Sequence, residues 1–265
     1  MLLIGALIEA MQARMAESNY PLIVDYNDGA ANEVRRAVQL CIEKKPLGVL
    51  FLGGNRKHFL ADFDKIKVPS VLVTNDATAL PFENLSSVAP NNIQAAEMAI
   101  DHLVSLGHRN IAVIGSDREA SDTTNLRWQG CMRAFDRHGV SFDPERDYAA
   151  VQYNFAGGYQ GAKQLLDNGR EFTAIFAMSD VMAIGAIRAL RDSGKCVPED
   201  VSVVGFDGLA LGEYTVPRLT SIYQPIEELA ERSIRLLLEN IESKQGSRHE
   251  IVPVELVRKE SARAI

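Results

Sequence analysis

Asp207 closes the apolar run Val201-Ser202-Val203-Val204-Gly205-Phe206 and is followed by Gly208. A carboxylate at that point has two readings. Asp-Gly is a common turn pair, so Asp207 can serve chain reversal. Alternatively, the end of the strand faces a ligand crevice, and the carboxylate accepts hydrogen bonds from a bound molecule. Arg127 lies near the start of a helical stretch, in Thr124-Asn125-Leu126-Arg127-Trp128. Its guanidinium offers a planar fork of donors to hydroxyls or a carboxylate; the plainer reading is a surface arginine on a polar helix face. Tyr153 ends a strand, and its ring either stacks on the flat apolar face of a ligand or packs at a lobe edge. Gln224 precedes Pro225, which fits the first position of a helix. Gln224 is then a ligand contact or a hinge residue. Trp128, the only tryptophan, defaults to core packing.

Signatures of other chemistry are missing. No GxGxxG follows a strand, no GxxxxGK[ST] phosphate loop occurs, and there is no GxSxG nucleophile elbow. The five histidines (58, 102, 108, 138 and 249) form no HxxxH pair and have no cysteine partner, so neither metal nor cofactor is expected. His102 and His108 flank a helix end, where a solvated or capping histidine is the ordinary case. These absences favour a binding protein over an enzyme.

Composition agrees. The 265 residues are 46% hydrophobic and 24% charged, with a formal charge of −7. This acidic balance leaves no electrostatic footprint for nucleic acid within the stretch. No apolar run approaches the ~20 residues that span a bilayer, and no membrane association is expected. Cys41, Cys131 and Cys196 lie far apart without a CxxC, which fits small core hydrophobes in a reducing, cytoplasmic compartment. The opening residues place Leu3, Leu7, Met11 and Met15 at every fourth position. That is an amphipathic helix rather than a secretion signal, which would need a basic start.

The elements that must position these side chains alternate. Strands are expected at 21–26, 47–54, 69–76, 85–90, 110–116, 149–153, 173–180, 201–207 and 219–225, with two more in the closing Ile251–Ser261 stretch. Helices are expected at 30–45, 91–108, 125–139, 155–169, 180–194 and 226–244, and a short one from His58. Gly107 fits the left-handed position after a helix end. Apolar strands each followed by a helix belong to parallel sheets covered on both faces. Two such sets, divided near Pro90, predict an α/β protein of two doubly wound parallel-sheet lobes with a central cleft. Ligands in such sheets sit beyond the carboxyl ends of strands. Polar residues gather there: Gly53-Gly54-Asn55, Thr74-Asn75-Asp76, Ser116-Asp117, Tyr153-Asn154, Ser179-Asp180 and Asp207.

Four stretches carry a resemblance: "HLVSLGHRNIAVIG" (102–115), "TAIFAMSDVMAIGAIRALRDSGKCVPEDVSVVGFDG" (173–208), "VPRLTSIYQPIEELAERSIRLLLENIE" (216–242) and "PVELVRKES" (253–261). In this order and spacing the chain resembles the LacI/GalR family of bacterial transcriptional regulators. The resemblance implies a periplasmic-binding-protein-like (type I) fold that binds a small effector, most often a sugar, and forms a homodimer. It implies operator DNA as a partner through a helix-turn-helix headpiece upstream of this stretch. By position, Asp207 resembles the aspartate of the family's G-[FY]-D motif, which bonds effector hydroxyls. Arg127 resembles the arginine that reaches into the same pocket, Tyr153 the stacking aromatic, Gln224 the crossover residue near the ligand, and Asn75 a contact from the first lobe. The chain departs from the family at Ala89-Pro90-Asn91, where "VDN" is common, and at Ser179-Asp180, where "AND" is common. It begins at the family's first helix, so the resemblance implies that headpiece, hinge and first strand lie upstream.

The expected organisation is a first lobe of residues 1–89 with 225–246 and a second of 90–224 with 247–265. The expected function is effector binding and dimerisation in a LacI/GalR-type regulator. The alternative is a periplasmic sugar-binding protein of a transporter, which would carry a leader peptide.

Overall fold

Buried parallel strands need side chains that are apolar on both faces, and the chain supplies them in runs such as Ile111-Ala112-Val113-Ile114. A computed structural model describes residues 2–16, 18, 20–27, 31–118, 122–169, 171–243 and 245–265. The elements in chain order are α1 (Leu2–Met15), α2 (Glu33–Lys44), β1 (Val49–Leu52), α3 (Arg56–Asp62), β2 (Ser70–Val73), β3 (Leu85–Pro90), α4 (Asn92–Ser105), β4 (Ile111–Gly115), α5 (Asp122–Arg137), α6 (Pro144–Asp147), β5 (Tyr148–Ala150), α7 (Phe155–Asp167), β6 (Ala174–Ala177), α8 (Asp180–Asp192), β7 (Ser202–Asp207), β8 (Thr220–Tyr223), α9 (Ile226–Ser243), β9 (His249–Val252) and β10 (Glu255–Val257). Residue 30 and residue 244, at the ends of two expected helices, lie outside the described residues.

The chain divides into two compact units, Met1–Pro90 with Pro225–Pro253 and Asn91–Gln224 with Val254–Ile265. The first holds a parallel sheet in the order β1-β2-β3-β9. Val71 and Val73 of β2 face a core shared with Leu7, Met11 and Leu237 of α1 and α9, and Leu72 faces a second core with Phe51, Phe59 and Phe63. The second unit holds a sheet in the order β10-β8-β7-β6-β4-β5, parallel except for β10. Its strands alternate likewise. Ile111, Val113, Phe176 and Phe206 pack with α4 and α5, whereas Ala112, Ile114, Ile175 and Val203 pack with α7 and α8. Each sheet is thus covered on both faces. Helix α4 ends as expected: Gly107 has φ +100°, its N–H reaches the Val104 carbonyl, and the His108 N–H reaches that of Leu103.

Three expectations need correction. Residues 21–26 form no strand; among the described residues the ladder stops at β1, which pairs with β2, and a strand without a hydrogen-bonded neighbour is not one. The strand expected at 149–153 is Tyr148–Ala150, because Asn154 caps α7 by accepting from the Gly157 N–H, and the turn into that cap consumes the rest. The closing strands are His249–Val252 and Glu255–Val257, parted at Pro253, which has no N–H for a ladder. This last point moves a boundary. β9 pairs with β3 from Ser87↔His249 to Pro90↔Val252, so residues 247–253 belong to the first unit rather than the second. Among the described residues no helix is long and apolar enough to cross a membrane.

Candidate binding site at the strand ends

The last residue of β7 is conformationally exceptional. Asp207 has φ +122°, and Gly208 follows at +71°. A non-glycine residue in that region persists only where its surroundings hold it there, and such residues cluster at functional sites. The carboxylate lies at the carboxyl end of the sheet and is 6% exposed. Its Oδ1 accepts from Gln224 Nε2 at 2.8 Å, and the Gln224 main-chain N–H donates to the Asp207 carbonyl at 3.1 Å. Gln224 is 1% exposed, yet among the described residues its Oε1 has no hydrogen-bond partner.

Arg127 is brought beside this pair by close helix packing. A Cβ on Gly130, one turn further along α5, would lie 2.2 Å from the Ile93 carbonyl oxygen, so only glycine lets α5 press this closely on α4. Arg127 is 5% exposed. Its Nε donates to Asn92 Oδ1 at 2.9 Å, an Nη donates to the Met178 carbonyl, and the guanidinium carbon sits 3.4 Å from the Phe206 ring centroid. The Tyr153 hydroxyl lies 3.1 Å from Thr124 Oγ1, and its ring packs against both cores of the unit. Arg127 and Asp207 both act electrostatically on that hydroxyl. Asp207, Arg127, Tyr153 and Gln224 therefore converge within the second unit.

Asn75 belongs to the first unit. It follows Thr74, whose φ of +75° is again left-handed, at the carboxyl end of β2. Asn75 Nδ2 donates to the Gly54 carbonyl at 3.2 Å, and Thr74 Oγ1 donates to Asn75 Oδ1 at 3.2 Å.

A profile described as a periplasmic binding protein-like domain matches residues 100–262. The chain is 33% identical to the HTH-type transcriptional regulator MalR of Clostridium butyricum over 264 residues, covering 98% of this chain and 76% of that protein. It is 30% identical to the HTH-type transcriptional repressor CytR of Escherichia coli, covering 98% and 75%. The regulator CelR, solved in complex with cellobiose, superposes with a TM-score of 0.87 at 28% identity, covering 98% of this chain and 79% of that one. The chain belongs to the LacI/GalR family. MalR and CytR are, by their names, HTH-type regulators of transcription.

This LacI/GalR site contains groups that strand-end reasoning left unassigned. Asn92 is buried and orients Arg127; the signal was the Asn91-Asn92 pair, of which Asn91 caps α4 and Asn92 is spare. Phe206 supplies the ring under the guanidinium. Asp180, noted only as a polar strand end, is fully buried and next to Asp207 electrostatically. Burial, above all, raises the Asp207 carboxyl above the ordinary range, against the pull of Arg127 and the Gln224 hydrogen bond. Burial raises Asp180 too, and the Asp207 charge adds to it. The Tyr153 hydroxyl is raised by burial. Two carboxyl groups thus lie close together in a dry setting, and the Arg127 charge acts on Asp207. Among the described residues, no group of three or more His, Cys, Asp or Glu is placed to hold a metal ion.

Proposed function

We propose that the strand-end cluster of the second unit binds a small polyhydroxylated effector, a sugar, and that this binding modulates the DNA affinity of an HTH segment outside this stretch. The observation that carries the reading is the mixed donor and acceptor set around Asp207. The carboxylate and the unpartnered Gln224 Oε1 accept from hydroxyls, Arg127 donates, and the Tyr153 ring covers a C–H face. A cellobiose complex of the related CelR supports the sugar class. Asn75 joins the proposed contacts on the family resemblance. Effector binding acts by population shift: a ligand with unequal affinity for two arrangements favours the one it binds better.

The proposed partners are operator DNA and a second copy of the chain, in the cytoplasm. Tyr214 and Val216, 84% and 87% exposed, lie close in sequence to Leu211 in the β7–β8 connection and support the homodimer. A thermal-shift screen over mono- and disaccharides identifies the effector, because a ligand that binds only the folded state raises the melting temperature. Asp207→Ala then weakens binding of that sugar by ~1.5–3 kcal/mol, the usual worth of a hydrogen bond to a charged group. Unchanged affinity in calorimetry would remove Asp207 from the site.

A further inference from the structure

Asp180 is the first residue of α8, directly after the cap Ser179. An acid there suits the helix dipole, but its carboxylate does not stay on its own helix. Oδ2 accepts from the Leu209 N–H at 2.6 Å. Oδ1 accepts from Ser221 Oγ at 2.5 Å, and the same hydroxyl oxygen accepts from the Gly208 N–H at 3.2 Å. Strand β7 leaves room for this: a Cβ on Gly205 would lie 2.3 Å from Asp180 Oδ1. The carboxylate thus gathers the turn after β7 and the middle of β8 around the two left-handed residues, Asp207 and Gly208. Asparagine could not do the same. It has a single acceptor oxygen, whereas donors arrive here at both oxygens. Among the described residues no cation pairs with Asp180, so charge neutralisation does not explain the acid.

We propose that Asp180 is a positioning residue for the effector site, locking the Asp207–Gly208–Leu209 turn in the conformation that presents the Asp207 carboxylate beside Arg127 and Gln224. The effector role of Asp207 is the reading this rests on. The groups facing Asp207 are Arg127 from α5, Asp180 from α8 and Tyr153 from the turn before α7, with uncharged Gln224 after β8. Arg127 and the Gln224 hydrogen bond both lower the Asp207 carboxyl, so a turn that no longer presents it to them shifts its titration.

The test needs no effector. The full chain, labelled on its main-chain amides and aspartate carboxyl carbons, is compared by NMR with Asp180→Asn and Ser221→Ala. In Asp180→Asn, amide exchange at Gly208 and Leu209 quickens roughly tenfold or more, Leu165 in α7 is unchanged, and the Asp207 titration midpoint shifts. In Ser221→Ala, exchange quickens at Gly208 while the Leu209 N–H keeps its bond to Asp180. Wild-type exchange at Gly208 and Leu209 together with a wild-type Asp207 titration in Asp180→Asn overturns the proposal. If Asp180→Asn does not fold, Ser221→Ala decides: quickened Gly208 exchange upholds the lock and unchanged exchange overturns it. Should Asp207→Ala leave sugar affinity intact while Asp180→Asn still frees the turn, the effector reading fails and the positioning role stands.

Discussion

The two units solve one problem with the same device and opposite electrostatics. In each, a strand ends in a left-handed turn, and the acid at the first position of a helix reaches across to hold it. In the first unit the acid is Glu33, which follows the cap Asn32. Its Oε1 accepts from the Asn55 N–H at 2.6 Å, just past Gly53 and Gly54, and its Oε2 lies 2.6 Å from His58 Nδ1. In the second unit the acid is Asp180, which follows the cap Ser179 and holds the turn past Asp207. A glycine makes room each time: a Cβ on Gly54 would approach Glu33 Oε1 to 3.1 Å, and one on Gly205 would approach Asp180 Oδ1 to 2.3 Å. The difference lies in the partners. The Glu33 and His58 side chains are 21% and 32% exposed and face each other. Asp180 is wholly buried, bonded to neutral donors, and set beside a second acid. The first arrangement is a clamp. The second is a clamp that also concentrates hydrogen-bond acceptors where a hydroxyl-rich ligand would meet them.

The glycines test this contrast most severely. Gly205→Ala drives a methyl group into a buried carboxylate walled by Leu219 and Ala183, and displaces bonds to Leu209 and Ser221. The expected loss is about 3 kcal/mol or more, overpacking and broken charged hydrogen bonds combined. Gly54→Ala meets the edge of the buried Phe59 ring at 2.6 Å and the Glu33 carboxylate, which is 21% exposed, at 3.1 Å, and displaces no fully buried carboxylate. About 1 kcal/mol is expected there. Urea unfolding of both variants measures the ratio. Equal losses would mean that burial does not distinguish the two clamps.

The common framework of these clamps was legible in the sequence; the Asp180 clamp itself was not. Alternating apolar strands and amphipathic helices marked both sheets, Asp207, Tyr153 and Gln224 stood out at strand ends or a crossover, and Arg127 was singled out through the family resemblance. Asp180 did not stand out, since an acid at a helix start is ordinary. Its role depends on donors 29 and 41 residues away, which become neighbours only once β6, β7 and β8 lie side by side. The failures share this cause. Pro21-Leu22-Ile23-Val24-Asp25-Tyr26 has the composition of a strand, but pairing is not a local property, and β1 is where the ladder stops. The assignment of His249–Val252 to a sheet likewise depended on a partner, β3, far back in the chain.

Proton linkage sharpens the comparison at a smaller scale. Asp180 and Asp207 are both raised in the folded protein by burial, with their mutual repulsion adding for Asp180. A raised carboxyl binds its proton more tightly folded than unfolded. Its stabilisation is therefore complete below the unfolded value near pH 4 and is lost as pH climbs through the raised one. The second unit should therefore lose stability between roughly pH 4 and pH 7 from this pair. Asp62, Asp192 and Glu239 are lowered by their cationic partners and run the other way. The useful quantity is thus the difference between wild type and Asp180→Asn, followed by chemical denaturation across that range. A difference that stays constant with pH would show that the two acids do not share the cost of burial.

The smallest effect is expected at the other clamp. His58→Ala removes the ring facing Glu33 but leaves the Asn55 N–H bonded to the other carboxylate oxygen. With both side chains partly in water, solvent already screens the pair, and its loss should cost about 0.5 kcal/mol or less. Whatever part of that difference is charge interaction shrinks further as salt is raised, because exposed charges are screened over distances of ~10 Å at ordinary ionic strength. A loss as large as that of Gly205→Ala, persisting in high salt, would place Glu33 and His58 in the same class as the buried acids. The first unit would then need a reason, beyond holding its turn, for keeping an acid at that strand end.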